Sequence, residues 1–366
     1  MKFDINAVPP NAKILLIRLR SIGDVTLNTA VFPLIRNNFP TCKLHYLVAP
    51  PCDQVVWNNP HLDEIIVLNS SGKISDLWAV MRLAQRLRQT SYDLVIDMHG
   101  GPRSALIAAL SRARFKVGLK GSRRARFYNV QVDPAFEGSA TAVQFQIKML
   151  ELLGLRVEYQ APKIYVGEDE LKAIKQKLRA VGVQPEQPFA VFHPGVDSLH
   201  NLWEPEKFAA VADALQTRYD LQVLFACAPG QTGQVEDILK RMETPGCSLG
   251  GRTSLREFAA LVHDAEFLLC HNSGPMHIGA AVGVPVFALF GPSAPQRWIP
   301  QVDVHHVFYK NIECSPCTRA TRKTECFQGN AECKRLITAQ EVVRAIEEKI
   351  NLKKQPFPLS SHSHSQ

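Results

Sequence analysis

The chain has 366 residues, of which 46% are hydrophobic and 21% are charged; this favours a globular protein of two domains over a disordered chain. Basic residues outnumber acidic ones by 42 to 34, a net charge of +8. The longest apolar run, residues 278–290, holds two glycines and a proline and is too short to span a bilayer. The first residues show no secretory pattern, so we expect a cytoplasmic protein.

Short apolar runs alternate with longer amphipathic stretches in the first half of the chain. This pattern predicts strands at residues 14–17, 44–48, 65–68 and 94–97, and helices at residues 24–38 and 74–89. Strands that alternate with helices in this way form a parallel sheet with helices on both faces.

The same alternation restarts after a connecting region with a charged helix, at about residues 162–187. It predicts strands at residues 190–192, 223–226, 267–270 and 286–290, and helices at residues 206–218 and 339–350. We therefore expect an α/β protein with two Rossmann-like, doubly wound domains, residues 1–170 and 171–352, that face a central cleft. The low-complexity tail, residues 353–366, is expected to be disordered.

The first candidate site follows the first strand, at residues 18–25. Ligands of open α/β sheets bind at the carboxyl ends of strands. Asp24 lies where a helix should begin, so it is either an N-cap or a general base at the mouth of the cleft. Gly23 is the only glycine here, which argues against the three-glycine fingerprint of dinucleotide binding.

Three more candidate segments follow strands in the second half. Residues 271–281 lead into a helix rich in alanine and glycine, whose N-terminus suits a diphosphate; a tightly packed helix with His277 in the core is the alternative. In residues 193–208, Trp203 is either a packing anchor or part of a nucleotide-binding wall. Residues 290–293 form a further turn that faces the same cleft.

A basic run lies at residues 112–126, where seven of fifteen residues are Arg or Lys. It is either a solvated face or a patch for a polyanion such as a phosphorylated glycolipid. A nucleic-acid partner is disfavoured because regularly spaced stacking aromatics are absent from the sequence.

Four cysteines, Cys314, Cys317, Cys326 and Cys333, lie close together near the end of the chain. In a reducing cytosol such spacing favours a structural Zn or Fe site over disulfides. Labile disulfides or plain thiols are the alternatives. In each case the segment would hold the loop before the last helix.

Taken together, these segments resemble the ADP-heptose:lipopolysaccharide heptosyltransferases, glycosyltransferase family 9, from residue 13 to about residue 350. The resemblance rests on Ser-Ile-Gly-Asp-Val at 21–25, His-Pro-Gly at 193–195, Trp-Glu-Pro-Glu-Lys-Phe at 203–208, Asn-Ser-Gly-Pro-Met-His at 272–277 and Phe-Gly-Pro-Ser at 290–293. It implies the GT-B fold, inversion at the anomeric carbon and no cofactor for catalysis. It also implies ADP-heptose as donor, a phosphorylated lipopolysaccharide core as acceptor and peripheral contact with the inner membrane.

The resemblance also implies roles for individual residues. Asp24 would be the general base, and the first half would bind the acceptor through Ser21, Ile22, Gly23, Arg103, Arg123 and Arg124. The second half would bind the donor through His193, Pro194, Gly195, Asn201, Trp203, Asn272, Ser273, Gly274, Pro275, Met276 and His277. Asn201 stands where the family often has a lysine. This leaves open a relative with another nucleotide sugar or acceptor, or a binding protein of the same fold without turnover.

Overall fold

The computed structural model describes residues 3–69, 75–134, 140–196, 202–298, 304–317, 326 and 329–352, with side chains described from residue 80 onward in the helix that begins at Ser75. Asn201 and the predicted tail, residues 353–366, lie outside these residues.

The first half of the chain forms a six-stranded parallel sheet in the order β3-β2-β1-β4-β5-β6. Apart from the exposed Lys13 and the buried Asp97, the residues of the two central strands are apolar and buried, as a sheet covered on both faces requires. Its strands are Lys13–Ile17 (β1), Lys43–Val48 (β2), Glu64–Val67 (β3), Leu94–Asp97 (β4), Phe115–Leu119 (β5) and Val130–Val132 (β6). The helices of this half are Ile22–Asn28 (α1), Val31–Asn38 (α2), Ser75–Thr90 (α3), Pro102–Leu110 (α4) and Ala142–Leu152 (α5).

The second half repeats the topology, with a six-stranded sheet in the order β12-β11-β10-β7-β8-β9. Its strands are Phe189–His193 (β7), Gln222–Ala226 (β8), Cys247–Gly250 (β9), Leu268–His271 (β10), Val286–Leu289 (β11) and His306–Phe308 (β12). Its helices are Glu168–Ala180 (α6), Pro205–Arg218 (α7), Thr232–Leu239 (α8), Leu255–His263 (α9), Gly274–Val282 (α10), Glu332–Arg335 (α11) and Ala339–Lys349 (α12). The prediction of two doubly wound α/β halves is confirmed.

The predicted helix 24–38 is wrong in one respect, because the structure divides it into α1 and α2. Pro33 has no N–H to donate to the carbonyl of Thr29, so the helical ladder is interrupted there. The N-cap of α1 is Ser21 and not Asp24, which is the third residue of the helix. Strands β5, β6, β9 and β12 were not predicted because polar residues or glycine interrupt their apolar runs. Among the helices that the structure describes, none has the length and apolar run needed to cross a bilayer.

The predicted division at residue 170 falls inside α6, which is a single rigid element that packs against α9. We propose that the boundary lies before α6, in the segment after α5. This segment touches both halves, since Lys163 N–H donates to Thr29 Oγ1 over 2.9 Å and Ile164 N–H donates to the Ala281 carbonyl over 3.0 Å.

Arg256 of α9 is a buried contact between the halves, with only 4% of its surface exposed. Its guanidinium forms two bonds to the Glu170 carboxylate, of 2.7 Å and 2.5 Å. It also donates to the carbonyls of Gln54 over 3.2 Å and Tyr165 over 2.6 Å. One side chain therefore joins α9, the start of α6, the connecting segment and the loop after β2.

We expect Arg256→Met to lower the free energy of unfolding by about 3 kcal/mol, because it leaves the Glu170 carboxylate without its counter-ion and two carbonyls without their donor. This is the low end of the usual range, since the Glu170 side chain is 22% exposed and water can reach it. Urea unfolding would measure the change. The control is Arg252→Met, whose guanidinium donates to the carbonyls of Leu249 and Ser248 in its own turn. A loss in Arg256→Met no larger than in this control would contradict the prediction.

Candidate functional site

A cleft of about 530 Å3 lies between the two halves, and we call it the central cleft. The first half contributes the start of α1 and the loop after β2, and the second half contributes the ends of β7 and β8 and the starts of α9 and α10. All of these strand ends are carboxyl ends, where ligands of doubly wound sheets bind. Its volume suits a ligand the size of a nucleotide.

The N-terminus of α10 opens onto the central cleft through Ser273, Gly274 and Pro275. The helix dipole and the main-chain amides of a first turn attract negative charge. A Cβ on Gly274 would lie 3.4 Å from Ile22 Cβ, so α1 and α10 meet closely at this point. The arrangement can hold a diphosphate between the two halves.

The predicted donor residues divide by their position. His193, Gly195, Ser273, Gly274 and Pro275 line the central cleft. Pro194 is buried next to it, and Asn272 lies half-buried at the end of β10.

Trp203 and Met276 do not reach the central cleft, because both side chains are completely buried. The Trp203 indole N–H donates to the Ile337 carbonyl over 3.0 Å, and its ring lies 4.9 Å from that of Phe208. Trp203 is therefore the packing anchor that the sequence left as an alternative. Met276 faces the core on the inner side of α10.

His277 is also buried, and its ring lies against Gly23 of α1. Burial lowers the pKa of His277 to about 4, although the nearby Asp24 carboxylate acts in the opposite direction. Its Nδ1 has no hydrogen-bond partner among the residues that the structure describes. The ring lines a small cavity of about 70 Å3 on the far side of α10 and does not line the central cleft.

This buried histidine predicts a dependence of stability on pH. The unfolded chain takes up a proton on His277 below about pH 6.5, whereas the folded protein does so only near pH 4. Stability is therefore lost as the pH falls through this window, by about 2 kcal/mol between pH 7 and pH 5. In urea unfolding, His277→Gln should reduce the loss by this amount, and the exposed His263→Gln should not. An equal loss in wild type and His277→Gln would refute the assignment.

A second cavity of about 570 Å3, the side cavity, lies on the other side of the α1 N-terminus. It is lined by Arg18 and Asp24 of the first half, by the start of α5, and by Arg297 and Trp298 of the second half. Asp24 Oδ1 lies 2.6 Å from the Arg18 guanidinium. Asp24 Oδ2 accepts from Ser21 N–H over 3.3 Å and from the Ser21 hydroxyl over 3.1 Å. The carboxylate thus caps α1 and also faces a cavity.

The predicted acceptor residues lie in two places. Ser21, Ile22 and Gly23 line the central cleft next to the α10 N-terminus, and not the side cavity. Arg103 is exposed in the first turn of α4 and Arg123 is exposed on the loop after β5, and both lie outside the two cavities. Arg124 joins the loops after β4 and β5, since its Nε donates to the Gly100 carbonyl over 3.0 Å.

Lys334 of α11 is a buried amine that the sequence analysis missed. Its Nζ donates to the Leu289 carbonyl over 2.6 Å and lies 2.9 Å from His271 Nδ1, and burial lowers the pKa of Lys334 to about 7. These contacts attach the segment with the cysteines to the ends of β10 and β11. Lys334 and Arg335 are adjacent basic residues in a short helix, and nothing in the sequence indicates that one of the two is buried.

The four clustered cysteines are free thiols, as are the other five. Burial raises the pKa of the Cys333 thiol, and the nearby thiols of Cys314 and Cys326 raise it further. In the described ranges, which omit residues 318–325 and 327–328, no group of three or more His, Cys, Asp or Glu side chains is placed to hold a metal. The predicted Zn or Fe site therefore has no support among these residues, and we derive no step from a metal there.

Comparison with known proteins gives concordant results. Residues 80–328 match the sequence model described as glycosyltransferase family 9 (heptosyltransferase). The chain is 29% identical over 289 residues to lipopolysaccharide heptosyltransferase 3 of Escherichia coli K12, covering 77% of this chain and 83% of that protein.

Two solved structures have the same fold. A family 9 glycosyltransferase of Veillonella parvula aligns with a TM-score of 0.82 at 24% identity, over 95% of this chain and 98% of its own. The ADP-heptose lipopolysaccharide heptosyltransferase II of E. coli aligns with a TM-score of 0.75 at 21% identity, over 92% and 98%. The predicted GT-B fold is thereby confirmed.

Proposed function

Because this chain belongs to glycosyltransferase family 9, the heptosyltransferases, we propose that it transfers a heptose from ADP-heptose to an inner-core acceptor of lipopolysaccharide. The observation that carries the proposal is the position of Asp24. Its carboxylate faces the side cavity, while Gly23 next to it lines the central cleft beside the α10 N-terminus. A base at the junction of two cavities is what transfer between two bound substrates requires.

The donor binds in the central cleft in this proposal. The diphosphate lies at the α10 N-terminus, where Ser273 and Gly274 present main-chain groups to it. His193 and Gly195 at the end of β7 form the opposite wall. The nucleoside then extends toward the loop after β8, where Cys227 and Pro229 lie. The name of one structural relative, an ADP-heptose heptosyltransferase, supports ADP-heptose as this donor.

The acceptor binds in the side cavity, with the exposed Arg103 and Arg123 further out on the same half. Guanidinium groups bind phosphates well, which suits a phosphorylated lipopolysaccharide core. Since such an acceptor is a membrane lipid, the enzyme meets it at the cytoplasmic surface of the inner membrane. The names of the lipopolysaccharide heptosyltransferases among its relatives support this acceptor.

The reaction is a single displacement. Asp24 takes the proton of an acceptor hydroxyl as the oxygen forms a bond to the anomeric carbon of the donor. The bond from that carbon to the diphosphate breaks on the opposite face, and its electron pair leaves with the diphosphate. The configuration is therefore inverted. The α10 N-terminus stabilises the growing negative charge by preorganised dipoles, so the protein's own groups perform the chemistry.

The test is release of ADP from ADP-heptose by the wild-type protein, with heptose-deficient lipopolysaccharide as acceptor. Release that needs the acceptor, together with a product heavier by one heptose, is the expected result. Binding of ADP without release on any lipopolysaccharide acceptor would refute the proposal. Release with another nucleotide sugar or another acceptor would correct the substrate and keep the enzyme class.

A further inference from the structure

Both oxygens of the Asp24 carboxylate are occupied in the structure. Oδ1 is paired with the Arg18 guanidinium at 2.6 Å, and Oδ2 is bonded to the main chain and hydroxyl of Ser21. A general base needs a lone pair directed at the acceptor hydroxyl. Oδ1 keeps a second lone pair, and since the bonds to Ser21 cap α1 and are local to the helix, the Arg18 pair is the contact that decides how far this lone pair can turn toward an acceptor.

Release of Asp24 from this ion pair would leave the Arg18 guanidinium without an anion. The pair is only partly open to solvent, with the Arg18 side chain 17% exposed and that of Asp24 30% exposed. An anion that takes the place of Asp24 at Arg18 therefore frees the carboxylate to turn toward an acceptor hydroxyl.

The side cavity is arranged to supply that anion from a ligand. Arg18 also donates to the Met98 carbonyl, and its buried Nε has no hydrogen-bond partner within the described residues. A second guanidinium, that of Arg297, lies on the opposite wall, 5.3 Å from the Trp298 ring. Among the described residues that line the cavity, Asp24 carries the only carboxylate. Two cations against one anion favour an acidic ligand.

We propose that Arg18 is a positioning residue that exchanges Asp24 for an acid group of the acceptor, so that an acidic acceptor frees the base that deprotonates it. The inference rests on the proposed function and adds that the acceptor itself controls whether Asp24 is free to act as the base. An acceptor without the acid group leaves Asp24 paired, so it reacts slowly even when it binds. The exchange thus makes the charge of the acceptor a condition for turnover.

The direct test is a double-mutant cycle in binding, without donor. The ligand is O-deacylated, heptose-deficient lipopolysaccharide, titrated calorimetrically into wild type, Asp24→Asn, Arg18→Met and the double variant. Asp24→Asn removes the competing carboxylate, so we expect about tenfold tighter binding, or about 1.4 kcal/mol. Arg18→Met should bind about tenfold more weakly, and adding Asp24→Asn to it should then give less than a twofold gain.

The cycle separates exchange from simpler effects. General removal of a negative charge would give the same gain in both backgrounds, and a misfolded variant would not bind more tightly than wild type. Unchanged affinity in Asp24→Asn, or an equal gain with and without Arg18, would overturn the proposal. Arg20→Met is the matched control, because Arg20 is exposed and does not line the side cavity. In the Arg20→Met background, Asp24→Asn should still give the full tenfold gain in acceptor affinity.

Two ligand arms identify the acid group. One ligand is dephosphorylated with hydrofluoric acid and the other has its sugar carboxylates reduced to alcohols. Loss of the affinity gain of Asp24→Asn with one of these ligands assigns the exchange to phosphate or to carboxylate. If the affinity gain survives with a ligand that has undergone both treatments, the proposal is overturned.

In turnover, Arg18→Met should raise the acceptor KM and reduce the preference for the acidic acceptor, and Arg18→Lys should restore part of both. Absence of turnover in wild type refutes the proposed function and leaves the binding cycle as an independent test.

Discussion

We expect Asp24→Asn to lower kcat for transfer about 10^3-fold, the usual contribution of a positioned general base. The amide has the same shape as the carboxylate, so its oxygen can still accept from Ser21 N–H and keep the cap of α1. Asp24 lines the side cavity and not the central cleft, so the donor Kd should stay within about twofold of wild type. Initial rates of acceptor-dependent ADP release and calorimetric titration of ADP would measure both quantities.

The matched control for this variant is Asp93→Asn. The Asp93 carboxylate also accepts a main-chain N–H, that of Lys13, over 2.9 Å, but it lies outside both cavities. Asp93→Asn should keep nearly full kcat. A rate for Asp24→Asn within a few-fold of this control would exclude Asp24 as the base, and an equal loss of donor affinity and kcat would indicate a binding role.

The strand-end loops of the site were predictable because their chemistry is local. An apolar run that ends in Gly, Ser or Asn places those residues at the carboxyl edge of a parallel sheet, whatever the rest of the chain does. His193, Gly195, Ser273 and Gly274 were found in this way, and they line the central cleft. For Asp24 the two readings are not exclusive, since the carboxylate is part of the α1 cap and also faces the side cavity.

The side chains that turn inward were not predictable from the same motif. Met276 and His277 lie on the inner face of α10, and Trp203 is anchored by the Ile337 carbonyl more than a hundred positions later. Burial of this kind depends on which distant element packs against the helix, and a single sequence does not contain that information. The contacts of Arg18 and Arg256 were missed for the same reason, because their partners come from other strands and from the other half.

Gly23 shows how closely the two halves must approach. A Cβ at this position would lie 2.6 Å from His277 Cδ2, closer than real side chains come, and 3.1 Å from Nε2. The ring is buried, with the Trp298 ring 6.4 Å away. A side chain at residue 23 must therefore push apart the ring on α10 and α1, which carries Asp24 on its first turn.

We expect Gly23→Ala to lower the free energy of unfolding by about 1–3 kcal/mol through this overpacking, and kcat/KM by about 10^2-fold because the base moves relative to the donor. Urea unfolding and initial rates would measure the two losses. Gly233→Ala is the control, because Gly233 also lies in a helix but a Cβ there would have open space around it. Its free energy of unfolding should rise by up to about 1 kcal/mol through helix propensity.

Adding His277→Ala to Gly23→Ala makes room for the methyl group, so the double variant should be more stable than the sum of the two single losses predicts. Strict additivity would show that the methyl group does not press on the His277 ring. A Gly23→Ala protein as stable and active as wild type would show that the two helices can separate at this point without cost to the reaction.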